Sequence, residues 1–270
     1  MSGHVKFSVR MHQHGYSFDD LKRVWTQADR LGYHSATLYD LLNAPALECW
    51  TALSGLATLT EQIRLTPLVL GNTYRPPALL AKMSATLDVI SGGRLELGLG
   101  AGGGTGDHRA SGLPCPPTAE RVRMLEEAVE LIKKSWTDPR ATYHGKYYSL
   151  EQSVNEPRPI QRPHPPVLIG GHGERHLLRS VAGHADICNI GFEMSLEEHR
   201  AKMGIVQQHC NDLDRNPSEI EITHNTRVII AESKQKFADL VAQGAADANV
   251  SLTDDRKSMS GAIAGTQEQS

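Results

Sequence analysis

The chain has 270 residues, of which 39% are hydrophobic and 22% charged, with a formal net charge of −3. That length suits one large α/β barrel or two smaller domains, and the near-balanced charge leaves no basic footprint for nucleic acid. No apolar run approaches the ~20 residues that span a bilayer, so no membrane partner is expected. The opening Met1–Lys6 carries no apolar stretch of the kind that marks a secretory signal. Cys49, Cys115, Cys188 and Cys210 form no CxxC pair. A cytoplasmic protein with reduced thiols is therefore expected in preference to a disulfide framework or a zinc cage.

Val5–Met11 reads as a first strand that ends at His12–Gly15. Ser17 with Asp20 three residues later forms a capping box. Leu21, Val24, Trp25, Ala28 and Leu31 then recur at helical spacing until Gly32. A second strand, Ser35–Tyr39, leads into Asp40, and a second helix covers Leu47–Thr60. Ile63–Gly71 reads as a third strand with an irregularity at Pro67, which cannot donate to a ladder. Arg75–Pro77 opens a third helix carrying Leu79, Leu80, Met83, Leu87 and Ile90. A turn at Gly92–Gly93 releases the fourth strand, Arg94–Leu99, which empties into Gly100, Gly102, Gly103 and Gly104. The loop from Gly104 to Pro117 is longer than an ordinary βα turn, and long rim loops often cover a site.

Thr118 is expected to cap a fourth helix whose stripe is Val122, Leu125, Val129, Ile132 and Trp136. An insertion over about 137–165 contains a small hairpin at Tyr143–Leu150 and a proline-rich connection, Pro157–Pro166. Val167–Ile169 is the fifth strand, followed by Gly170–Gly173 and a helix that carries Leu177, Leu178 and Val181 as far as Gly183. Ala185–Ile190 is the sixth strand, and Ser195 with Glu198 forms a capping box for the sixth helix. Ile220–Ile230 holds the seventh strand, with a helix from Ser233. Seven strand–helix units in series, without a break in composition, predict a single barrel domain over 1–270. The eighth unit is expected to be missing or incomplete, because Thr266–Gln269 reads as a helix cap immediately before Ser270. With 4 Phe, the core is expected to be aliphatic.

Several glycines at a strand's end mark either a backbone approached by a ligand or a flexible surface loop. Two strand–glycine–helix units in one chain favour a ligand along one rim of a parallel sheet. Gly170, Gly171, His172 and Gly173 would offer N–H groups and a positive helix end to a phosphate, with charge from His172 and Arg175; the alternative is a tight turn that needs small residues. His12 and His14 have the spacing of a ligand pair in metal-dependent barrel hydrolases. That chemistry needs ligands from later strand ends: His224 is available, but no eighth strand supplies the acid. Asp40 and Asp107 follow the second and fourth strands, where each could bond a heterocycle, act as acid or base, or form a turn or cap. No GxSxG, HExxH or GxxxxGK[ST] motif occurs.

Several blocks together resemble the luciferase-like monooxygenase superfamily, especially its branch that uses the deazaflavin coenzyme F420 in place of FMN. They are Glu48–Leu53, Thr60–Leu65, Gly71–Lys82, Leu87–Gly102 and Pro116–Arg121, with Gly265–Glu268 near the end. The resemblance implies a TIM (β/α)8 barrel with its eighth unit incomplete, an oxidoreductase, and a homodimer with a small-molecule substrate. It places the coenzyme ring near a bulge at Gly71, Asn72 and Thr73, with a non-prolyl cis peptide there, and against Ala101, Gly102 and Gly103. It places phosphate contacts at Gly170–Gly173 and Asp40 beside the coenzyme head. The implied chemistry is hydride transfer at the deazaflavin or, with FMN, reaction of reduced flavin with oxygen. Relatives commonly carry a histidine where Leu41 stands, and an aromatic or acid where Gly103–Gly106 stand. Catalytic proton handling is therefore assigned to His12, Asp107 or His108, the alternative being a coenzyme-binding protein with little turnover.

Overall fold

Strands and the helices that follow them alternate along the chain. The computed structural model describes residues 5–192, 194–233, 235–239, 242 and 262–266. β1 (Ser8–Arg10), β2 (Ser35–Leu38) and β3 (Arg64–Pro67) form one parallel sheet. A second sheet runs β10 (Glu221–Asn225), β9 (Ile187–Phe192), β8 (Val167–Gly170), β5 (Leu97–Gly100), β4 (Leu70–Gly71), all parallel. A bridge between Leu65 and Leu95 joins the two sheets into one arc. Across the described residues β1 hydrogen-bonds only to β2 and β10 only to β9, and an ion pair of 2.6 Å between Lys6 and Glu221 spans the two edges.

Helix starts written into the sequence as local chemistry form as expected. Ser17 Oγ accepts the Asp20 N–H, and the Asp20 carboxylate accepts the Ser17 N–H, at the head of α1 (Phe18–Arg30). Ser195 and Glu198 make the same reciprocal pair ahead of α7 (Leu196–Asp212). α2 (Cys49–Ala57) and α3 (Pro77–Ile90) follow β2 and β4, and α6 (Leu177–His184) follows β8. α5 (Thr118–Thr137) corrects one expectation. Pro117 stands at its N-cap with no side-chain cap bond, and the Thr118 hydroxyl instead accepts from Arg121 Nη2 at 3.2 Å.

Four further boundaries differ from expectation. The third strand divides at Pro67 into β3 and β4, with a non-prolyl cis peptide at Leu68–Val69 between them rather than at Gly71–Thr73. The fourth strand is in two parts: Arg94–Glu96 bond to Leu65 as an isolated bridge, and Leu97–Gly100 form β5, while the Arg94 guanidinium, 9% exposed, meets the carbonyls of Ala57, Thr60 and Ile63. A short helix, α4 (Thr105–Ala110), stands inside the loop read as irregular. The seventh strand divides into β10 and β11 (Arg227–Ala231), and β11 pairs in parallel with β12 (Ala262–Thr266). Thr266 therefore closes a strand; residues 267–270, read as a helix cap, lie outside the described residues. The insertion contains an antiparallel hairpin of β6 (Ala141–His144) and β7 (Ser149–Ser153), as expected.

Parallel register separates the two faces of the first sheet. Ser8 pairs with Ser35, and Ser35 with Arg64; Arg10 pairs with Thr37, and Thr37 with Thr66. That face is polar: Arg64 Nε donates to Glu96 at 2.6 Å, and the Thr66 hydroxyl donates to the other Glu96 oxygen at 2.7 Å. The opposite face carries Ala36, Leu38 and Leu65, which share an aliphatic core with Leu21, Trp25, Leu53 and Leu56. Gly98 is required by close approach, since a Cβ there would lie 1.9 Å from the Pro67 carbonyl oxygen.

Burial works against ionisation of Glu96, but His34, Thr66 and Arg64 hold its carboxyl below the ordinary carboxylate range. A depressed folded pKa stabilises the protein above the unfolded value, and the contribution disappears as pH falls through the folded one. Glu96→Gln should therefore cost about 2 kcal/mol in urea unfolding at pH 7, less than a fully buried pair because Arg64 is part-exposed. The difference from wild type should shrink below about pH 4. A pH-independent difference would contradict this assignment.

Candidate functional site

The glycine-rich ends of adjacent strands meet on one rim. Gly71 pairs with Gly100, Leu99 with Ile169, and Gly170 with Asn189, so β4, β5, β8 and β9 end side by side. Val69 fills the space between Gly100 and Gly170, where Cβ atoms would lie 2.7 Å from its methyl groups. The two glycine loops identified from sequence are therefore brought together.

Asp40, after β2, supports this rim from behind. One carboxylate oxygen accepts the Gly71 N–H at 2.9 Å and Arg75 Nη1 at 2.8 Å, and the other accepts Arg75 Nη2 at 2.9 Å. Its side chain is 1% exposed, so it reaches the rim through the Gly71 amide. Arg75 also donates to Glu48 at 2.6 Å, and Glu48 accepts the Trp50 and Thr51 N–H groups at the head of α2. Burial disfavours the Arg75 charge, but the two carboxylates raise its pKa above the ordinary value.

The run from Ala101 to Gly104 is held in place. Arg121, on α5 and 8% exposed, donates from Nη1 to the Gly102 carbonyl at 2.9 Å and the Gly103 carbonyl at 2.7 Å, with a longer contact of 3.4 Å to Ala101. The Tyr74 hydroxyl accepts the Gly103 N–H at 3.2 Å. Burial, then the nearby Asp107 and Asp40 charges, push the Tyr74 pKa up, against the Gly103 N–H and Arg121. Gly102 has φ +92°, and a Cβ there would lie 2.5 Å from Thr73 Oγ1. Gly103 and Gly104 stay exposed. Among the expected catalytic residues, Asp107 lies in the first turn of α4, half-buried. His108 is 1% exposed, with Nε2 at 2.7 Å from Thr73 Oγ1 and Nδ1 at 2.9 Å from the Gly104 carbonyl.

Asn72 is 3% exposed; its N–H donates to Gly100 and its side-chain amide to the Tyr148 hydroxyl at 3.3 Å. Tyr148 comes from the inserted hairpin, whose turn is fixed by Glu127 of α5 accepting the Lys146, Tyr147 and Tyr148 N–H groups.

The second glycine loop corrects one expectation. α6 starts only at Leu177, so Gly170–Gly173 precede its first turn and do not form its amino terminus. The Gly171 N–H is taken by the Asn189 carbonyl, while His172 and Gly173 are exposed. The cation beside them is Lys202 of α7, which donates to Glu174 at 2.8 Å and to the His172 carbonyl at 3.3 Å.

His12 lies beyond β1, at the edge of the β1-β2-β3 sheet. Its ring stacks on His14 at 4.2 Å and lies 5.2 Å from Tyr39, in a turn tethered by Gln13 to Tyr39 and Leu47. Partial burial, then the His14 and Arg10 charges, lower its pKa. Among the described residues no group of three or more His, Cys, Asp or Glu side chains gathers as metal ligands would, which leaves the hydrolase alternative without its further ligands.

Tyr74, Arg75, Arg121, Tyr148 and Lys202 carried no functional expectation from sequence. Arg121 lies in a block quoted above, but its partners are 18 to 20 residues away in the chain.

The fold is a parallel α/β barrel whose rim exposes the Gly103–Gly104 and His172–Gly173 backbone, with Lys202 beside the second stretch. The luciferase-like monooxygenase family profile matches residues 3–268, and the chain belongs to that family. The chain is 37% identical over 155 residues to an F420-dependent glucose-6-phosphate dehydrogenase of Kineococcus radiotolerans, covering 57% of this chain and 45% of that protein. It is 35% identical over 124 residues to an FMNH2-dependent dimethylsulfone monooxygenase of Pseudomonas putida, covering 46% of this chain and 34% of that protein. The aligned regions thus span about half or less of these relatives. In fold it is similar to monooxygenase RslO1 from Streptomyces bottropensis (TM-score 0.82, 22% identity, 98% of this chain and 85% of that one). It is also similar to the coenzyme F420-dependent tetrahydromethanopterin reductase of Methanopyrus kandleri (TM-score 0.76, 22% identity, 87% of this chain and 69% of that one). The family contains F420-dependent and FMN-dependent oxidoreductases. Among the described residues, no helix is long and apolar enough to cross a membrane.

Removing the guanidinium should release the glycine run. Arg121→Met is expected to destabilise the fold by about 2–3 kcal/mol in urea, the scale of charge-assisted hydrogen bonds lost from a buried site. Amide exchange at Gly102–Gly104 should quicken selectively; unchanged exchange there would contradict the clamp.

Proposed function

We propose that the protein is a deazaflavin-dependent oxidoreductase, which binds coenzyme F420 on the glycine-lined rim and moves a hydride to or from a small organic substrate. The observation that carries this reading is the exposed backbone of Gly103–Gly104 and His172–Gly173, which lies just beyond the neighbouring ends of β5 and β8. Backbone without side chains lets a flat ring system approach closely. The higher identity, over a longer stretch, to an F420-dependent relative favours the deazaflavin over FMN. FMN-dependent monooxygenation is the second reading, favoured by the match to the dimethylsulfone monooxygenase.

The residues present fit such a coenzyme. Gly104 has open space where a Cβ would stand, and Lys202 lies beside the exposed His172–Gly173 backbone, an arrangement suited to a phosphate. When bound, the coenzyme would supply the hydride chemistry. Thr73, Ala101, Gly102 and Gly103 would line the ring, Gly171, His172 and Gly173 the phosphate. Gly71 and Asn72 would shape the rim from beneath, with Asp40 fixing the Gly71 amide. His12 and Asp107 are retained as proton-handling candidates. A second copy of the chain is the expected protein partner, and the free cysteines suit a cytoplasmic setting. Light scattering tests the former: a mass twice that of the chain supports a homodimer, and a monomer overturns it.

Fluorescence titration tests the coenzyme. Coenzyme F420 should bind about tenfold or more tightly than FMN, a difference of about 1.4 kcal/mol. Binding of FMN alone would move the protein to the monooxygenase reading, and binding of neither would overturn both. Lys202→Ala should weaken coenzyme binding about five- to tenfold at low salt and less at high salt, as expected for a part-exposed cation facing a phosphate. An affinity that Lys202→Ala leaves unchanged at low salt would remove the phosphate from this loop.

A further inference from the structure

Thr73 and His108 form a hydroxyl–imidazole dyad with a backbone anchor. The Gly104 carbonyl can only accept, so the His108 Nδ1 at 2.9 Å from it carries a proton. In the neutral ring Nε2 is then an acceptor, and the Thr73 hydroxyl at 2.7 Å donates to it. His108 is 1% exposed and out of reach of any substrate, whereas Thr73 is partly exposed on the rim. The backbone of Gly102, beside Arg121 and His108, leaves no room for a side chain against the Thr73 hydroxyl. Tyr74, edge-on at 5.2 Å, completes the wall around the imidazole. Leu41, after Asp40, has no proton to exchange.

We infer that Thr73 is a catalytic residue, passing a proton between a carbinol or carbonyl substrate and His108, which acts through it as the positioning base. The inference rests on the oxidoreductase reading above. In the oxidising direction the carbinol C–H bond breaks, and its electron pair leaves as hydride for the flavin-type acceptor. The substrate O–H bond breaks as C=O forms, and that proton joins Thr73 Oγ1. The Thr73 proton passes to His108 Nε2, giving an imidazolium whose Nδ1–H remains on the Gly104 carbonyl. The reverse sequence protonates the alkoxide formed by hydride delivery to a carbonyl. The charges of Asp107, Asp40 and Arg121 all bear on Tyr74, which packs against the imidazole.

The test has two readouts. Imidazole 15N–1H spectra of the protein without coenzyme should show His108 as the Nδ1–H tautomer, and Thr73→Val should shift the Nε2 resonance while leaving Nδ1–H in place. An Nε2–H tautomer would overturn the dyad. Turnover is then followed with coenzyme F420 and propan-2-ol, or reduced F420 and acetone, beside a fluorescence titration of the coenzyme. Thr73→Val should lower kcat by about 100-fold or more, the scale of general acid–base catalysis, a loss far larger than any change in coenzyme affinity. Thr73→Ser should recover most of the loss, and the solvent isotope effect on kcat should be present in wild type and Thr73→Ser. A Thr73→Val enzyme that binds coenzyme and turns over normally sinks the relay alone. Wild type that binds coenzyme but acts on neither probe removes the carbinol chemistry and the relay with it. Wild type that binds no coenzyme overturns the functional reading itself.

Discussion

One guanidinium sets the orientation of the backbone on which the site is built. Arg121 Nη1 gathers the carbonyls of Gly102 and Gly103, so the peptide planes of an otherwise permissive run are turned one way. Glycine has most freedom to lose on folding, and a run of them is ordered only where specific partners offset that entropy. Here those partners come from different elements: α5 gives Arg121, the turn after β4 gives Thr73 and Tyr74, and α4 gives His108. The alternative of a flexible surface loop therefore gives way to a held backbone. The same logic holds beneath it, where Asp40 fixes the Gly71 amide and is itself held by Arg75.

The site depends on a division of labour between strand faces. In the first sheet one face is aliphatic and supplies the core, while the opposite face carries Ser8, Ser35, Arg64 and Thr66, the last two bonded to Glu96 just ahead of β5. Hydrophobic burial on one face leaves the other free to hold polar groups, provided each is paired. At the ends of β4, β5 and β8 glycines make room for Tyr74 and Val69, and the exposed backbone lies beyond them at Gly103–Gly104 and His172–Gly173. The inserted hairpin adds a strut, since Glu127 fixes its turn and Tyr148 meets Asn72.

Much of this was legible in the sequence, and the reason differs from element to element. The capping boxes at Ser17 and Ser195 are contained within four residues, and local chemistry settles them. The glycine runs pointed to a rim because two of them follow strand-like segments, against the alternatives of a flexible loop or a tight turn. Thr118 misled because its hydroxyl, suited to a cap, accepts from Arg121 one turn later. α4 was invisible because Thr105–Ala110 is a single short segment containing Gly106, too brief for a periodic pattern. β12 was missed because its only described ladder partner, β11, is over thirty residues away. The roles of Arg121 and Lys202 depend on contacts across 18 to 30 residues, which no spacing rule reports. Asp40 was read as a group beside the coenzyme head, whereas the fold buries its carboxylate behind the rim against Arg75 and the Gly71 amide.

A crystal structure of the protein with coenzyme F420 tests the central claim most directly. The account predicts the tricyclic ring against Thr73 and the Gly102–Gly103 backbone, with the phosphate beside His172 and Lys202 and the Arg121 clamp intact. A coenzyme seated elsewhere, or a glycine run that leaves Arg121 to admit it, would contradict it.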